Sequence, residues 1–417
     1  MAQLSDDCFA FGGALMRIED AASLIAARLP VLAGTERVPL AEADGRVAAE
    51  DVLAGHDVPP FANSAVDGYA VRYADLDGGG ETRLPVLGRL AAGAAPDAVE
   101  TPGGAVRIFT GAALPPGADT VFMQEDVRRE GEAVLLPQGL KRGANARAAG
   151  EDVARGERII PAGRRLVPQD LALAAATGHA ELPVRTRLRV ALFSTGDELA
   201  EPGAPLGSGA IHDSNRVMLA ALLVRLGVAV ADLGILRDAP EPLARRLAEA
   251  ARDHDLILTS GGVSAGEEDH VRTAVEAVGH LLFWRLAIKP GRPVAMGLVN
   301  GTPFVGLPGN PVAVYVTLLF VVRPLLARLG GANLVPVVPQ RVRAAFAYRK
   351  KTGRREFVRV TLAPGPDGVI EAHKFPREGA GLLTSLTRSD GLAELPDEAT
   401  GVVPGDVLAF HPHAALW

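Results

Sequence analysis

The sequence Asp255-Leu-Ile-Leu-Thr-Ser-Gly-Gly-Val-Ser-Ala-Gly-Glu-Glu-Asp-His270 joins a short apolar run to a loop of small residues that leads into a helix. The apolar run, residues 255–259, has the length and composition of a buried strand. Glycine and serine then occupy five of the seven positions from Ser260 to Gly266, and the helical pattern begins near residue 268. A strand that leads through such a loop into a helix is typical of an α/β fold.

The same alternation of strands and helices extends to both sides, between residues 181 and 330. We predict further strands at 187–193, 228–235, 281–288, 292–298 and 303–306, and helices at 214–226, 240–252, 268–278 and 310–328. The strands are nearly continuous apolar runs, which predicts a parallel or mixed sheet covered by helices on both faces. Asp213 and Ser214 are expected to cap the helix at 214–226, and Gly227 to end it.

The remaining segments have other patterns. An amphipathic helix is expected at 15–30, where Pro30 ends it. From 51 to 145, short apolar runs separated by glycine and proline predict a small β-rich domain, and 146–180 return to loop and helix. Alternating short runs in the tail, 341–410, predict a small β-barrel or sandwich.

Composition limits the class of protein. The chain has 417 residues, 48% of them hydrophobic, and a net charge of −6, so a basic nucleic-acid surface is not expected. The single cysteine, Cys8, excludes an intramolecular disulfide. The first residues lack the pattern of a signal peptide. The longest apolar run, 312–322, is shorter than the about 20 residues that cross a bilayer. We therefore expect a cytoplasmic protein that binds neither membrane nor nucleic acid.

Ligands of an open α/β sheet bind beyond the carboxyl ends of its strands. The segments that follow the predicted strands carry glycine, small hydroxyl residues or charge, and should meet in one crevice. They are Ser194-Thr-Gly-Asp-Glu-Leu199, Arg237-Asp238, the loop from Ser260 to His270, Ile288-Lys-Pro-Gly-Arg-Pro293 and Leu307-Pro-Gly-Asn-Pro311.

The loop from Ser260 to Gly266 can present backbone N–H groups to an anion at the start of a helix. By itself such a loop is as often a plain strand-to-helix turn. Lys289 and Arg292 would add two cations at the same edge. The combination favours phosphate binding.

Acidic residues are predicted at the same edge: Asp197, Glu198, Asp238 and Asp269. They would repel an anionic ligand unless a cation lay between them, and Mg²⁺ binds through one or two carboxylates together with substrate phosphates. Such an ion also stabilises the charge that develops when a phosphoanhydride breaks. The alternative for each acid is a helix cap or an exposed face, and we favour that alternative for Asp197.

Gly262-Val-Ser-Ala-Gly266 also matches the nucleophile elbow of serine hydrolases. We do not favour a hydrolase, because no acid and histidine follow with the expected order and spacing. Cys8 is a still weaker candidate nucleophile, because it lies close to the terminus.

Eight motifs together resemble those of the molybdopterin molybdenumtransferases, a family that includes the insertase part of gephyrin. Each motif is weak alone, but their order and spacing along nearly the whole chain are specific. They are Pro60-Phe-Ala-Asn-Ser-Ala-Val-Asp-Gly-Tyr-Ala70, Arg107-Ile-Phe-Thr-Gly111 with Pro116-Gly-Ala-Asp119, Gly143-Ala-Asn-Ala-Arg147 with Gly150-Glu-Asp152, Ser194-Thr-Gly-Asp-Glu-Leu199, Asp213-Ser-Asn215, Ser260-Gly-Gly-Val-Ser264, Lys289-Pro-Gly-Arg-Pro293 and Leu307-Pro-Gly-Asn-Pro311.

The resemblance implies an α/β multi-domain protein of four parts. Residues 15–50 and 146–180 would form an elongated discontinuous domain, and 51–145 the β-rich domain. A molybdopterin-binding α/β domain with a mixed sheet would span 181–330, where 1–14 could pack on it, and a β-barrel would span 331–417. The family also implies a homodimer, with the site shared between the α/β domain of one subunit and the β-rich domain of the other.

The implied reaction is transfer of molybdate into adenylated molybdopterin, with release of AMP and with Mg²⁺ as cofactor. Carried over motif by motif, the catalytic set would be Asp67, Thr110, Asp152, Glu198, Asp238 and Asp269, of which Glu198, Asp238 and Asp269 would bind the metal. The ligand-binding set would be Ser260, Gly261, Gly262, Ser264, Lys289, Arg292, Pro308, Gly309, Asn310 and Pro311.

Two residues depart from the family pattern. Arg292 stands where lysine is common. The charge is the same, but a planar guanidinium group replaces a compact ammonium group. Ala62 stands where a polar residue is frequent. The alternatives to an insertase are a molybdopterin adenylyltransferase, whose fold would need only 181–330, and a non-catalytic scaffold.

Overall fold

The structure, a computed structural model, describes residues 15–261, 270–335 and 337–415. Its first half contains two helices and twelve strands. They are α1 Ile18–Arg28, β1 Thr35–Pro39, β2 Val52–Leu53, β3 Asn63–Ser64, β4 Gly68–Val71, β5 Thr82–Leu90, β6 Ala105–Ile108, β7 Thr120–Met123, β8 Arg128–Glu130, β9 Ala133–Leu136, β10 Ala146–Arg147, β11 Arg158–Ile160, α2 Pro168–Ala176 and β12 Glu181–Arg185.

Strands β4 to β9 form the β-rich domain that the short apolar runs predict. They make one six-stranded sheet in the order β7-β4-β6-β5-β9-β8. The chain on either side of this domain comes back together, because β1 pairs antiparallel with β12 and β2 pairs antiparallel with β11. A single elongated unit is thus built from two stretches that are distant in sequence.

The next part of the chain alternates strands and helices. It consists of β13 Arg189–Thr195, β14 Leu199–Ala200, β15 Ile211–His212, α3 Ser214–Arg225, β16 Ala229–Leu236, α4 Pro240–Asp253, β17 Leu256–Ser260, α5 His270–Val278, β18 Gly279–Arg285, β19 Ile288–Lys289, β20 Pro293–Val299 and β21 Thr302–Leu307. A continuous helix then comprises α6 Pro311–Thr317, a π-helical turn Leu318–Val322 and α7 Arg323–Leu329.

The central sheet has the order β16-β13-β17-β21-β20-β18. Its first four strands are parallel, whereas β20 runs antiparallel to both β21 and β18. One apolar core packs α1, α3, α6 and α7 on one face, and a second core packs α4 and α5 on the other. The predicted mixed sheet with helices on both faces is confirmed.

The ends of α3 follow the predicted chemistry. The Asp213 carboxylate accepts a hydrogen bond from the Arg216 backbone N–H at 3.1 Å, so Asp213 caps the helix. The helix ends at Gly227, whose φ of +84° suits glycine.

The helix Pro311–Leu329 is long and apolar enough to cross a membrane by length and composition alone. However, 72% of its most apolar window is buried inside the structure. It therefore has the environment of a core helix, which passes the same test.

The C-terminal segment forms a closed barrel. Its elements are β22 Gln340–Ala344, β23 Tyr348–Arg349, β24 Arg355–Pro364, β25 Ile370–Lys374, α8 Thr384–Thr387, β26 Gly391–Leu395, β27 Gly401–Val402 and β28 Val407–Pro412. The order β24-β25-β22-β28-β26 closes because β26 also pairs with β24. Strand β19 of the preceding domain adds to β24 and ties the barrel to the α/β domain.

Candidate active site

The carboxyl ends of β13, β17 and β21 lie side by side, because these strands are parallel neighbours. Asn215, near the start of α3, connects two of the loops that follow them. Its side-chain amide donates hydrogen bonds to Ser260 Oγ at 2.9 Å and to the Gly309 carbonyl at 2.7 Å. The structure therefore brings together the predicted residues Ser260 and Gly309.

Asn215 was not among the predicted site residues, although it stands in the Asp213-Ser-Asn215 motif. The signal available from sequence was an amide side chain directly after a helix cap. Its Oδ1 atom is buried and has no hydrogen-bond partner among the described residues. A buried amide oxygen of this kind is usually satisfied by a ligand, an ion or water.

Gly261 has a packing role at this edge. Its φ is +88°, and a Cβ atom there would lie 2.6 Å from the Thr195 carbonyl oxygen. Its N–H donates to the Leu307 carbonyl at 3.2 Å, so this amide is engaged within the fold and does not face an anion. Gly262, Ser264 and the Gly262-Val-Ser-Ala-Gly266 motif lie outside the described residues.

Three hydroxyl side chains at the same strand ends are buried. Ser194, Thr195 and Thr259 are at most 2% exposed. The hydroxyl oxygens of Ser194 and Thr259 have no hydrogen-bond partner among the described residues, whereas Thr195 interacts with the Asp238 carboxylate. Hydroxyl groups clustered beyond parallel strands can donate to the oxygens of a phosphate or oxyanion.

Asp238 follows β16 and lies close to two other acids. Burial raises the pKa of Asp238 above its ordinary value, and the charges of Asp197 and Glu198 add to this shift. The charge of His270 and a hydrogen bond with the Thr195 side chain oppose it. One carboxylate oxygen, Oδ1, is buried without a hydrogen-bond partner in the described chain. A cation near these carboxylates would relieve their repulsion.

The predicted metal ligands are only partly described. Glu198 and Asp238 lie near each other, whereas Asp269 is outside the described residues. Within 15–261, 270–335 and 337–415, no three His, Cys, Asp or Glu side chains are grouped as a metal site requires. Magnesium binding at Glu198, Asp238 and Asp269 therefore stays a prediction.

Lys289 lies between the α/β domain and the barrel. Its Nζ donates to Tyr348 Oη at 2.9 Å and to Glu356 Oε2 at 3.1 Å. Burial alone would lower the pKa of Lys289, but these hydrogen bonds raise it above its ordinary value. A cavity of about 110 Å³ adjoins this group and is also lined by Arg359 and Lys374. Two glutamates, Glu356 and Glu378, also line this cavity, so Lys289 is held charged beside a cavity with both basic and acidic groups.

The other predicted ligand-binding residues lie on the loops before β20 and α6. Arg292 is exposed, and its carbonyl accepts a hydrogen bond from the Leu286 N–H at 2.8 Å. Pro308 is buried, Asn310 is exposed and Pro311 begins the helix. These residues lie in loops near the carboxyl end of β21, where the site is predicted, but their roles stay predictions.

Asp67 and Thr110 form a pair in the β-rich domain, 43 positions apart. Asp67 Oδ1 accepts hydrogen bonds from the Thr110 N–H at 2.8 Å and from its hydroxyl at 2.7 Å. These bonds hold the pKa of Asp67 below its ordinary value. No hydrogen bond or ion pair in the described chain links this pair to the α/β domain.

A Thr110→Val substitution is expected to raise the pKa of Asp67 part of the way towards its ordinary value of 3.8. Valine keeps the shape and the backbone N–H donor but removes the hydroxyl donor. NMR titration of a sample with ¹³C-labelled aspartate side chains would measure the shift. Thr361→Val, at an exposed barrel position, is the matched control. An unchanged Asp67 pKa, or an equal change in the control, would contradict this account.

Asp152 lies in a separate cavity of about 410 Å³. Its neighbours in that cavity are Val58, Pro59, Arg147 and Glu151. The Asp152 N–H donates to the Val58 carbonyl at 3.0 Å, and the residue is exposed. Those predicted catalytic residues that the structure describes thus fall in two regions of one chain. One is the strand-end edge, formed by the carboxyl ends of the parallel strands β13, β16, β17 and β21 and the loops that follow them, and the other is the surface of the β-rich domain with its flanking loops.

Comparisons with known families cover nearly the whole chain. Residues 16–178 match the MoeA N-terminal region (domain I and II), 191–328 match a probable molybdopterin binding domain, and 341–412 match the MoeA C-terminal region (domain IV). These three matches follow the elongated and β-rich domains, the α/β domain and the barrel.

Individual proteins are similar over the same length. The molybdopterin molybdenumtransferase of Haemophilus influenzae is 38% identical over 95% of this chain and 98% of its own. That of Nostoc is 36% identical over 94% and 93%. A crystal structure of the molybdopterin biosynthesis moeA protein from Pyrococcus horikoshii superposes with a TM-score of 0.82, at 30% identity, over 96% of this chain and 100% of that one. The chain belongs to the molybdopterin molybdenumtransferase family.

Proposed function

We propose that the chain transfers molybdate into adenylated molybdopterin and releases AMP, in the cytoplasm. The observation that carries the proposal is the strand-end edge, where buried oxygens of Ser194, Thr259 and Asn215 that have no hydrogen-bond partner among the described residues lie beside acids that repel one another. Such an edge suits a phosphate-bearing substrate together with a cation. The names of relatives that span nearly the full chain support the same activity.

Ser260 is suited to hold a phosphate oxygen. Its Oγ atom accepts the hydrogen bond from Asn215, so its own hydroxyl hydrogen remains available to donate to a ligand. The hydroxyls of Ser194 and Thr259 can add donors around the same ligand. Lys289, whose charge is paired with Glu356, would serve as a hydrogen-bond donor to the anionic substrate.

The chemistry of the two described ligands suits a magnesium ion. Asp238 Oδ1 is buried without a hydrogen-bond partner among the described residues, and Glu198 and Asp197 lie close enough to affect the pKa of Asp238. Glu198 and Asp238, with Asp269, would hold the ion through carboxylate oxygens, which are ligands that Mg²⁺ prefers. When bound, the ion would stabilise the charge that develops on the phosphate oxygens as AMP leaves.

We also propose that the chain acts as a homodimer whose site is shared between subunits. Within one chain, the hydrogen bonds of Asp67 and Thr110 stay inside the β-rich domain. If these residues take part in the reaction, a second copy of the chain is a means of bringing them to the strand-end edge.

The direct test is release of AMP from adenylated molybdopterin in the presence of molybdate and Mg²⁺. We expect release to require all three, and chelation of Mg²⁺ to lower the rate at least about a hundredfold, as loss of several kcal/mol of charge stabilisation implies. Formation of the adenylate from molybdopterin and ATP, without AMP release, would instead identify an adenylyltransferase. Absence of both reactions would favour a scaffold.

A further inference from the structure

A cleft of about 540 Å³ opens at the amino ends of the central strands, whereas the candidate active site lies at their carboxyl ends. It is lined by Leu188 and Val228, which immediately precede β13 and β16, and by residues of the elongated domain and of the linker after α7. Strand β13 has seven residues, which at roughly 3.3 Å each separate the two edges by about 20 Å. The cleft is therefore distinct from the strand-end site.

Seven arginines line this cleft, and none of its lining residues in the described chain is acidic. Two of the arginines are paired with carboxylates: Arg46 with Glu36, and Arg164 with Asp170 at 2.9 Å. The charges of these two are thus locally balanced. Four of the others form no ion pair with a carboxylate in the described chain and determine the potential inside the cleft: Arg165, Arg185, Arg187 and Arg323.

Arg165 and Arg187 are held in place without being neutralised. Arg165 donates to the carbonyls of Gly45 at 2.8 Å and Leu226 at 3.0 Å, and Arg187 donates to the Gly227 carbonyl at 3.1 Å. Both guanidinium groups approach Gly227, where a Cβ atom would lie 3.0 Å from Arg165 Nη1 and 3.7 Å from Arg187 Nη1. The carbonyls at the end of α3 carry only a partial negative charge, so they orient the two cations and leave most of the positive charge in place.

Two further arginines have unused donors. Arg185 Nε is buried and has no hydrogen-bond partner among the described residues. Arg323, on α7, makes no hydrogen bond or ion pair with any residue that the structure describes. Burial lowers the pKa of Arg323, and burial together with the charges of Arg323 and Arg187 lowers the pKa of Arg165. Because arginine nevertheless stays protonated, like charges are crowded here.

We propose that this cleft is a second ligand site, which binds a small organic molecule carrying two or more phosphate groups. Guanidinium groups bind phosphate oxygens in pairs of parallel hydrogen bonds, and several unneutralised guanidinium groups favour a multivalent anion. The volume lies within the range of about 300–1,000 Å³ typical of small-ligand sites. Val47 and Leu326 add apolar surface that the organic part of the ligand can contact.

Inorganic pyrophosphate, titrated calorimetrically into the full chain without divalent cations, is the probe for this site. We expect one binding event per chain that Arg323→Gln weakens about tenfold to a hundredfold, the range for loss of a charge-assisted hydrogen-bonding group. The pyrophosphate affinity of Arg323→Lys should lie between those of the parent chain and Arg323→Gln, because lysine keeps the charge but loses the planar guanidinium group. Arg323 has no partner to lose among the described residues, so we expect its variants to fold normally, with unchanged circular dichroism and thermal midpoint.

Two control variants distinguish binding in this cleft from binding elsewhere on the chain. Ser260→Ala changes the strand-end edge, and Arg246→Gln removes one exposed positive charge from α4; both should leave pyrophosphate affinity unchanged. Weaker binding in Ser260→Ala but not in Arg323→Gln would place the ligand at the strand-end site and overturn the proposal. An equal effect of Arg246→Gln would indicate non-specific attraction and would overturn it too. A change of oligomeric state in Arg323→Gln with unchanged affinity would make the cleft an interface between copies of the chain, which also overturns the proposal.

Discussion

An Arg216→Met variant is expected to lose about 3–5 kcal/mol of unfolding free energy in the α/β domain, the range for breaking a buried ion pair by removal of one partner. Arg216 is 5% exposed and Asp213 is 2% exposed. The guanidinium Nε donates to Asp213 Oδ2 at 2.9 Å, and Nη1 donates to Asp232 Oδ1 at 2.6 Å. Nη2 pairs with Glu201. Methionine would fill much of the volume but leave the buried Asp213 carboxylate without its ion-pair partner.

This network also fixes the loop that carries Glu198. Asp213 and Glu201 belong to the segment that follows β13, and its two short strands pair Leu199 with Ile211. Loss of the Arg216 side chain therefore frees Glu201 in the loop beside Asp238, whereas the capping bond from the backbone N–H of residue 216 to Asp213 remains. We expect AMP release to fall together with stability in this variant.

The pH dependence of the effect follows from the charges. Burial opposes ionisation of Asp232, but its bonds to Arg216 and to the Gly234 N–H hold its pKa below the ordinary value of 3.8. An acid with a lowered folded pKa stabilises the fold above its unfolded value, and this contribution disappears as the pH falls through the folded value. The difference between the parent chain and Arg216→Met should thus be complete above about pH 4 and shrink below it.

Urea unfolding followed by circular dichroism at 222 nm measures the change, because most of the helices in the described chain belong to the α/β domain. Arg246→Met, which removes an exposed arginine paired with Glu249 at 2.8 Å, should change stability by less than about 1 kcal/mol. A loss in Arg216→Met no larger than in this control would show that the buried network does not stabilise the domain.

Local sequence signals predicted the elements that local chemistry determines. The apolar strands, the cap of α3 at Asp213 and the end of α3 at Gly227 each depend on neighbouring residues, and all three are confirmed. The alternation of strands and helices in the sequence allowed a parallel or a mixed sheet, and packing between the elements determines which of the two forms. The closed barrel was one of two β architectures that the tail pattern allowed.

The contacts that the sequence did not reveal join residues far apart in the chain. Lys289 bonds with Tyr348 and Glu356 of the barrel, which are 59 and 67 positions away. The bridge from Asn215 to Ser260 spans 45 positions. No periodicity or spacing encodes such pairs, because they arise only when separately formed elements pack together. The pairing of Asp67 with Thr110 was anticipated only in the sense that family motifs contain both residues.

An Asp238→Asn variant is expected to release AMP at least about a hundredfold more slowly than the parent chain, comparable with loss of one preorganised electrostatic group from an active site. The substitution keeps the shape of the side chain but removes the charge that, on our proposal, attracts Mg²⁺. The buried Oδ1 of Asp238 has no hydrogen-bond partner in the described chain. Asparagine also keeps an amide oxygen that can accept the hydrogen bond from the Thr195 side chain.

Although we expect Asp238→Asn to lower the rate of AMP release, it should not lower the folding stability of the chain. Because the pKa of Asp238 is raised, by burial first and by Asp197 and Glu198 in addition, its ionisation costs folding free energy as the pH rises from the ordinary value of 3.8 through the raised folded value. Asparagine avoids this cost. Without Mg²⁺ at about pH 7, the thermal midpoint of Asp238→Asn should equal or exceed that of the parent chain, and the difference should vanish below about pH 4.

Magnesium itself supplies a readout that does not depend on turnover. A ligand that binds only the folded chain stabilises it by about 2.7 kcal/mol at a free concentration of about 100 times its Kd, so Mg²⁺ should raise the thermal midpoint of the parent chain and not that of Asp238→Asn. Asp253→Asn, the same change at the exposed end of α4, should retain both AMP release and the response to Mg²⁺. If Asp238→Asn kept the magnesium response while losing activity, Asp238 would act on the substrate rather than on the metal. If it kept full activity, the acidic edge beside β16 would have no part in the reaction.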